Sequence, residues 1–596
     1  MSLSSIPVKH PYRVYLTLGP VLALGALTPT PSFTPAVLLL ATLRLQTARS
    51  IPRREWSGGI AQLLLVSLAA GLVNAAPSLH ALSTPATSLI VLACLSAAAT
   101  TIAAGALSAG YYAERAARTH WVRATVFPAV WATTWAAVER LSPIGQLATW
   151  SPVTNLEGYT WLRQVGGQVA INWVVAAWAV IISEVAGAWM MGSDGEKAID
   201  PERNVASLLD DDLPTLDRHI PAVRRSVSPK TRRILLMTGF LFAMTVPSYV
   251  ISEFPPPVAA PDVTPFGVAC AMPYPQRNGK ATGPPSWNDY VKESKTLQSR
   301  AKIVLWPESA VHFNSEGERE EAFKRIQPQI SNGTYYGIGF EEVVHKDSPD
   351  GVWKSGMRRN GLVLLGWEGV VYEYYKRHLV PIAESFSMTP SNEKPAIFTM
   401  QLSHPSSWTA PAWAPGPSFT RPIDITASIC LDFTTASSFA DLPSRPALIL
   451  APARTWHTSI GLAMWEQAKA RAEESGSMVL WCDGGEGGVS GLAGRGMHAF
   501  RQVGPGSWAQ TVSVPWPYDQ RRTVFSAAGT SALAVVWGIM GMGWMAGAVA
   551  GQVEDREHGA GRAVVSLTGA VQNAVGFIRN LGQREIRGEE RPLLGD

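Results

Sequence analysis

Charge is what this sequence has least of. Asp, Glu, Lys and Arg together make up 16% of its 596 residues, against about 25% in an ordinary soluble domain. A net charge of +4 is small for this length, and the basic residues form no stripe interleaved with aromatics, which argues against a nucleic-acid partner. Cysteine is nearly as scarce. The four that occur, Cys94, Cys270, Cys430 and Cys482, have no CxxC or Cys/His spacing, so no metal site and no cofactor are expected. Cys94 lies in an apolar run and reads as a small buried residue. Cys270 and Cys482 both sit in strand-like segments and could pair in an oxidising compartment, but buried free thiols are the favoured expectation. No cleavable signal peptide is evident, because the first apolar run lacks a basic leader and a second run follows at once.

Long apolar runs are what the chain has instead. A mean hydropathy of +0.07 averages two unlike halves, a membrane-like first 250 residues and a mixed-polarity stretch over 270–520. Crossing a hydrocarbon layer of ~30 Å takes roughly 17–25 apolar residues as helix. The qualifying runs are approximately Tyr12–Leu27, Thr34–Leu45, Gly58–Ala76, Pro85–Gly110, Val122–Val138, Gly166–Met191, Ile234–Ile251 and, much later, Val524–Ala550. The second is short enough to tilt or re-enter. Loop charges set the orientation, since short cytoplasmic loops carry the excess of Lys and Arg. The N-terminal segment has Lys9 and Arg13, and the loop after run two has Arg44, Arg49, Arg53 and Arg54. Arg115, Arg118 and Arg123 follow run four, and a polar linker at 192–233 after run six is rich in Lys and Arg. The alternate loops are nearly bare. Eight spans therefore place both termini in the cytoplasm and residues 252–521 outside it. Trp56, Trp121, Trp161 and Trp189 near run ends read as interfacial anchors, and Glu184, inside run six, is an intramembrane carboxylate.

Between runs seven and eight, β-rich segments alternate with amphipathic helices, the pattern of a layered α/β domain. Three segments carry chemistry. IVLWPESA ends an apolar strand at Glu308, where an apolar setting raises a carboxyl's pKa and suits a general base. YEYYKRHLVPIAESF presents Lys376 and Glu384, and an ammonium there can stabilise a tetrahedral oxyanion. ITASICLDF places Cys430 at a turn after a β-rich run, where a thiol can act as nucleophile. Taken singly, each also reads as a structural residue: a capping Glu, a surface Lys, a core Cys.

In this order and context the three segments resemble the carbon–nitrogen hydrolase (nitrilase) superfamily. KRHLVPIAE is similar to the lysine segment of its membrane-embedded branch, apolipoprotein N-acyltransferase. The resemblance spans nearly the whole chain, since that branch also inserts its nitrilase domain between the seventh and eighth helices. It implies a polytopic membrane bundle of about eight helices plus an αββα sandwich: 1–251 membrane domain, 252–521 extracytoplasmic hydrolase domain, 522–551 last span, 552–596 cytoplasmic tail. It further implies Glu308 as base, Lys376 as oxyanion stabiliser, Cys430 as nucleophile and Glu384 as a supporting carboxylate. The helix WEQAKARAEESG would pack near the site. The implied reaction moves an acyl chain from a phospholipid donor to a Cys430 thioester, then to an amine on a protein or small molecule. The chain departs from the family at Leu431 and Asp432, where an aromatic and a Glu are usual, and at Ala453 and Arg454, where Asn-Asp is usual. Asp432 keeps a supporting carboxylate, while Leu431 and Trp456 are candidate substrate gates. Rival readings are a membrane-tethered amidase, with water as acceptor, and a non-catalytic nitrilase-domain scaffold.

Overall fold

A computed structural model describes residues 6–191 and 229–557, apart from position 118 and short stretches at 261, 275, 278–279, 282, 346–353, 404–419, 487, 497–499 and 530. The linker expected from 192 and most of the tail lie outside the described residues. Two units are present, Met1–Gly541 and Met542–Asp596.

Each of the eight apolar runs is helical over most of its length. The first six are α1 (Pro11–Ala26), α2 (Phe33–Arg53), α3 (Trp56–Ser78), α4 (Pro85–Ala116), α5 (His120–Leu141) and α6 (Trp161–Met191). α7 (Pro229–Ala243) continues as a short turn, and the last run resumes beyond Gly529 as a helix over Ser531–Glu557. The second run belongs to a helix of 21 residues, in which Arg44 and Arg49 find Glu114 and Glu55 as partners. Four of these helices among the described residues, Trp56–Ser78, Pro85–Ala116, Trp161–Met190 and Thr231–Val250, are long and apolar enough to cross a membrane. The first run fails on length, at 16 residues. On α3, Trp56, Ile60, Leu64, Leu68 and Leu72 are all exposed at a spacing of four, one apolar stripe facing outward. A helix surrounded by water would carry polar residues there.

The α/β half is two sheets face to face. In chain order the strands are β1 (Val263–Cys270), β2 (Ile303–Leu305), β3 (Val311–Phe313), β4 (Tyr335–Val343), β5 (Arg358–Gly366), β6 (Gly369–Tyr375), β7 (Phe398–Ser403), β8 (Thr420–Ala427), β9 (Leu448–Ala453), β10 (Met478–Asp483), β11 (Val489–Ala493), β12 (Phe500–Val503) and β13 (Trp508–Pro515). The first sheet runs β13-β1-β2-β4-β5-β6 with β3 beside β4, and the second β12-β11-β10-β9-β8-β7. Strand alternation builds the layers. Val268, Cys270, Ile303, Leu305, Leu362 and Leu364 face the second sheet and pack on Ile423, Ile425, Leu448, Leu450 and Leu480. Their neighbours Ala269, Val304, Trp306, Val363 and Leu365 face outward, under the helices α8 (Trp287–Leu297) and α9 (Glu316–Ile326).

The outer face of the second sheet is covered by α10 (Thr458–Ser475), which completes an αββα stack. α10 is the WEQAKARAEESG helix, and its charged residues are buried rather than solvated, because α6 of the apolar half packs on it. Each charge finds a partner there. Arg163 pairs with Glu473 at 2.9 Å and Arg471 with Glu474 at 3.0 Å, while Arg471 also donates to Gln146. Burial nevertheless outweighs the arginines, and both Glu473 and Glu474 are pushed up to about 7.

The structure corrects one expectation outright. Cys270 and Cys482 are joined in a disulfide, with Cα atoms 5.7 Å apart. β1 and β10 present these side chains to each other across the sandwich, a pairing that positions 212 residues apart could not announce. Cys94 and Cys430 are free, and Cys94 is exposed rather than buried.

Candidate active site

Glu308 follows β2, whose apolar residues are wholly buried, and the turn after it turns sharply enough to put Ser309 at φ +53°. The β5–β6 hairpin runs alongside. At its open end the Lys376 N–H donates to the Asn360 carbonyl at 2.9 Å, so the two side chains emerge beside Glu308. Lys376 Nζ donates to Glu308 Oε1 at 2.7 Å and to Glu384 Oε1 at 2.8 Å. The Asn360 amide donates to Glu308 Oε1, also at 2.7 Å. The remaining Glu384 oxygen accepts from the Val380 N–H at 2.8 Å, which fixes the turn after β6. The ammonium thus sits between the two carboxylates.

Cys430 comes from the facing sheet. β8 ends at Ala427 and the chain folds into a tight turn over Cys430–Thr434, with Cys430 at φ +45°, left-handed backbone that non-glycine residues rarely adopt. Its sulfur lies close to the Glu308 carboxylate and to the backbone N–H of Arg454 just past the end of β9. Asp432, with 0% exposure, holds the turn in place. Oδ1 accepts from the N–H groups of Arg377 and His378 and bonds to His378 Nδ1, while Oδ2 accepts from the Tyr374 hydroxyl and the Ile429 N–H. One carboxylate therefore ties the nucleophile turn to the segment that carries Lys376.

Burial dominates the electrostatics. It pushes the Glu308 carboxyl up, against the pull of Lys376. It pushes the Cys430 thiol well up too, helped by the charge on Glu308. Burial alone would lower Lys376, but the negative charge of Glu308 above all, with that of Glu384, outweighs it and holds the amine protonated. The resting arrangement is a neutral thiol, a nearby carboxylate to take its proton and a fixed ammonium beside both. That is a nucleophile, a base and an oxyanion partner in one contact cluster.

The structure brings Glu308, Lys376, Glu384, Cys430 and Asp432 together. Leu431 is buried in the turn, its carbonyl capped by the Thr434 hydroxyl. Trp456 lies elsewhere on the same rim, its indole N–H donating to the Pro77 carbonyl at the end of α3 at 3.0 Å. Glu184 is remote from this cluster and pairs with Arg233. Sequence reasoning missed Asn360, whose RRN context reads as an ordinary polar strand start. It also missed Asp483, buried and bonded to the N–H and hydroxyl of Thr455 at 2.9 and 2.6 Å, which holds Arg454 against the nucleophile.

The apolar half reaches the same turn. Gly145, in the α5–α6 connection, has φ +53°, and a Cβ there would stand 2.5 Å from the Thr434 carbonyl, so only glycine allows this approach. Glu139, at the end of α5, accepts from the Ala436 N–H just beyond.

No family model matches the chain, and no curated protein does. Among solved structures it is similar to the NitN amidase from Neterenkonia sp. AN1, at 15% identity and a TM-score of 0.31 over 46% of this chain and 99% of that one. Nit3 of Saccharomyces cerevisiae, a member of branch 10 of the nitrilase superfamily, is similar at 13% identity and a TM-score of 0.29, over 42% of this chain and 90% of that one. A glutamine-dependent NAD+ synthetase from Acinetobacter baumannii follows at 10% identity and 0.28, over 44% and 49%. These are likenesses of fold at low identity. The chemistry rests on this chain's own side chains.

Proposed function

We propose that this chain is a membrane N-acyltransferase that carries an acyl group on Cys430 between a phospholipid and an amine. The observation that carries the reading is the cluster of Glu308, Lys376 and Cys430, whose Cys430–Thr434 turn packs against Gly145 in the α5–α6 connection, while Trp456 on the neighbouring loop meets Pro77 at the end of α3. A soluble amide substrate gives no reason for that packing; a substrate held in lipid does.

In the first half-reaction the Cys430 thiol passes its proton to Glu308 and the sulfur attacks an ester carbonyl of the donor. Lys376 stabilises the oxyanion, and the proton on Glu308 leaves with the lysophospholipid alkoxide as the C–O bond breaks. In the second, a neutral amine attacks the thioester and its proton goes to Glu308. Collapse of the intermediate breaks the C–S bond, the departing sulfur recovers that proton, and the amide leaves. Glu384 and Asn360 keep Lys376 and Glu308 aligned throughout. The eight helices would all cross the bilayer, with the hydrolase domain outside the cytoplasm and both termini inside. The Cys270–Cys482 disulfide supports that side, since buried disulfides persist in oxidising compartments.

The test uses detergent-purified full-length protein, a phospholipid with a tagged acyl chain and a primary-amine peptide. Lysophospholipid release together with a tagged amide, both lost in Cys430→Ala, is the expected result. Tagged fatty acid without amide, whatever the amine, would assign water as acceptor and make the protein an acyl hydrolase.

A further inference from the structure

Arg454 directly follows β9 beside the Cys430 turn, and four observations bear on what its charge meets. Its backbone lies close to the Cys430 sulfur, on strand ends joined by the Ser428 N–H to Leu450 carbonyl bond and held at the next residue by Asp483. Its side chain is exposed. Among the described residues no carboxylate forms an ion pair with it, and Asp289, which with it influences Tyr290, is engaged in capping α8 through Ser286. Two residues along the same loop, Trp456 donates to Pro77 at the end of α3, one of the helices long and apolar enough to cross a membrane. The loop therefore lies at the level where such a helix leaves the hydrocarbon, which is where lipid phosphates sit.

We infer that the Arg454 guanidinium binds the phosphodiester of the acyl donor and so holds the donor's ester carbonyl over Cys430. This rests on the thioester reading of the site. In a glycerophospholipid only the glycerol carbons separate the ester from the phosphate, a distance an arginine side chain spans from a Cα anchored beside the sulfur. Guanidinium is suited to the task, because it is always charged and its planar fork matches two phosphate oxygens. Asp483 and Thr455 serve as positioning residues, since they fix the strand end from which Arg454 projects.

The experiment compares two donors with the same acyl chains in the same micelles, phosphatidylglycerol and diacylglycerol, which lacks the phosphate. Acylation of Cys430 is followed by intact mass as the donor mole fraction varies, for the wild type, Arg454→Ala and Arg454→Lys. The kcat/KM ratio of phosphatidylglycerol to diacylglycerol falls about 10–100-fold in Arg454→Ala, the worth of one charge-assisted phosphate contact. The loss lies mainly in KM, and Arg454→Lys recovers part of it. The diacylglycerol rate, measured on the same sample, separates lost recognition from a misfolded variant. An unchanged ratio overturns the inference. So does a defect confined to attack of the amine on a preformed thioester, which would assign Arg454 to an anionic acceptor instead. If neither donor acylates wild-type Cys430, it is the thioester reading that fails.

Discussion

Replacing Asp432 by asparagine changes one atom of a wholly buried side chain, and its cost can be worked from the contacts. The carboxylate has five contacts: Arg377 N–H at 3.2 Å, His378 N–H at 2.7 Å, His378 Nδ1 at 2.9 Å, Tyr374 hydroxyl at 2.8 Å and Ile429 N–H at 3.1 Å. An asparagine must point its NH2 at one set of these donors. The less costly choice is the Oδ2 position, where the Tyr374 hydroxyl can rotate to accept and only the Ile429 N–H is orphaned. A buried unsatisfied N–H costs roughly 1–3 kcal/mol, and losing the charge weakens the surviving bonds by roughly 0.5–1 kcal/mol each. Over the three surviving Oδ1 contacts the sum is roughly 2.5–6 kcal/mol. It falls on the turn that holds Cys430 at φ +45°, backbone that persists only while its surroundings enforce it. Asp432→Asn should therefore lower the thermal unfolding midpoint in detergent by on the order of 10 °C and slow Cys430 acylation by about 100-fold. A midpoint and a rate both equal to wild type would refute the role given to Asp432.

Three further outcomes are expected. In Glu308→Gln the charge that holds the thiol up is gone while Lys376 remains, so the pH midpoint of Cys430 alkylation by iodoacetamide falls even as acyl transfer is lost; an upward shift would contradict the electrostatics. The Cys270–Cys482 disulfide closes 212 residues and is worth about 2–5 kcal/mol, so reductant or Cys482→Ala should lower the unfolding midpoint, and no change would deny it a structural role. Glu473 and Glu474, raised from 4.5 to about 7, keep protons in the folded state that the unfolded chain releases. Their contribution to stability is therefore greatest below about pH 4.5 and is lost as pH rises to about 7. The difference in midpoint between wild type and a Glu473→Gln, Glu474→Gln variant should follow that window, and a difference independent of pH would contradict it.

How much was legible follows from how local each signal is. The eight segments read as strands, from FGVACAM to SMVLWCDG, all coincide with strands, because buried β-branched and apolar runs bounded by turns need no distant partner to be recognised. Within the two large sheets the five strands not anticipated are short or half polar, and a separate two-residue pair, Gln276–Arg277 with Lys280–Ala281, was not anticipated either. Val311–Phe313 is three residues long, and Trp508–Pro515 shows strand character only once paired with β1. Asn360 was illegible because its meaning lies in a carboxylate 52 residues away. The disulfide was legible as a possible pair of strand cysteines, but the contact that decides it joins positions 212 residues apart. For α10 the resemblance implied packing near the site, but that it also lies against α6 with its charges paired depends on residues from the apolar half. For the apolar runs, helix was predictable from composition, but membrane crossing by length and apolarity holds for four of the described helices.

The most direct measurement of the central claim is the intact mass of detergent-purified protein after incubation with a defined phospholipid, beside Cys430→Ala. The account predicts a mass increase of one acyl chain, labile to hydroxylamine and absent from the variant. No adduct on the folded wild-type protein with lipid present, or an adduct that survives in Cys430→Ala, would contradict it.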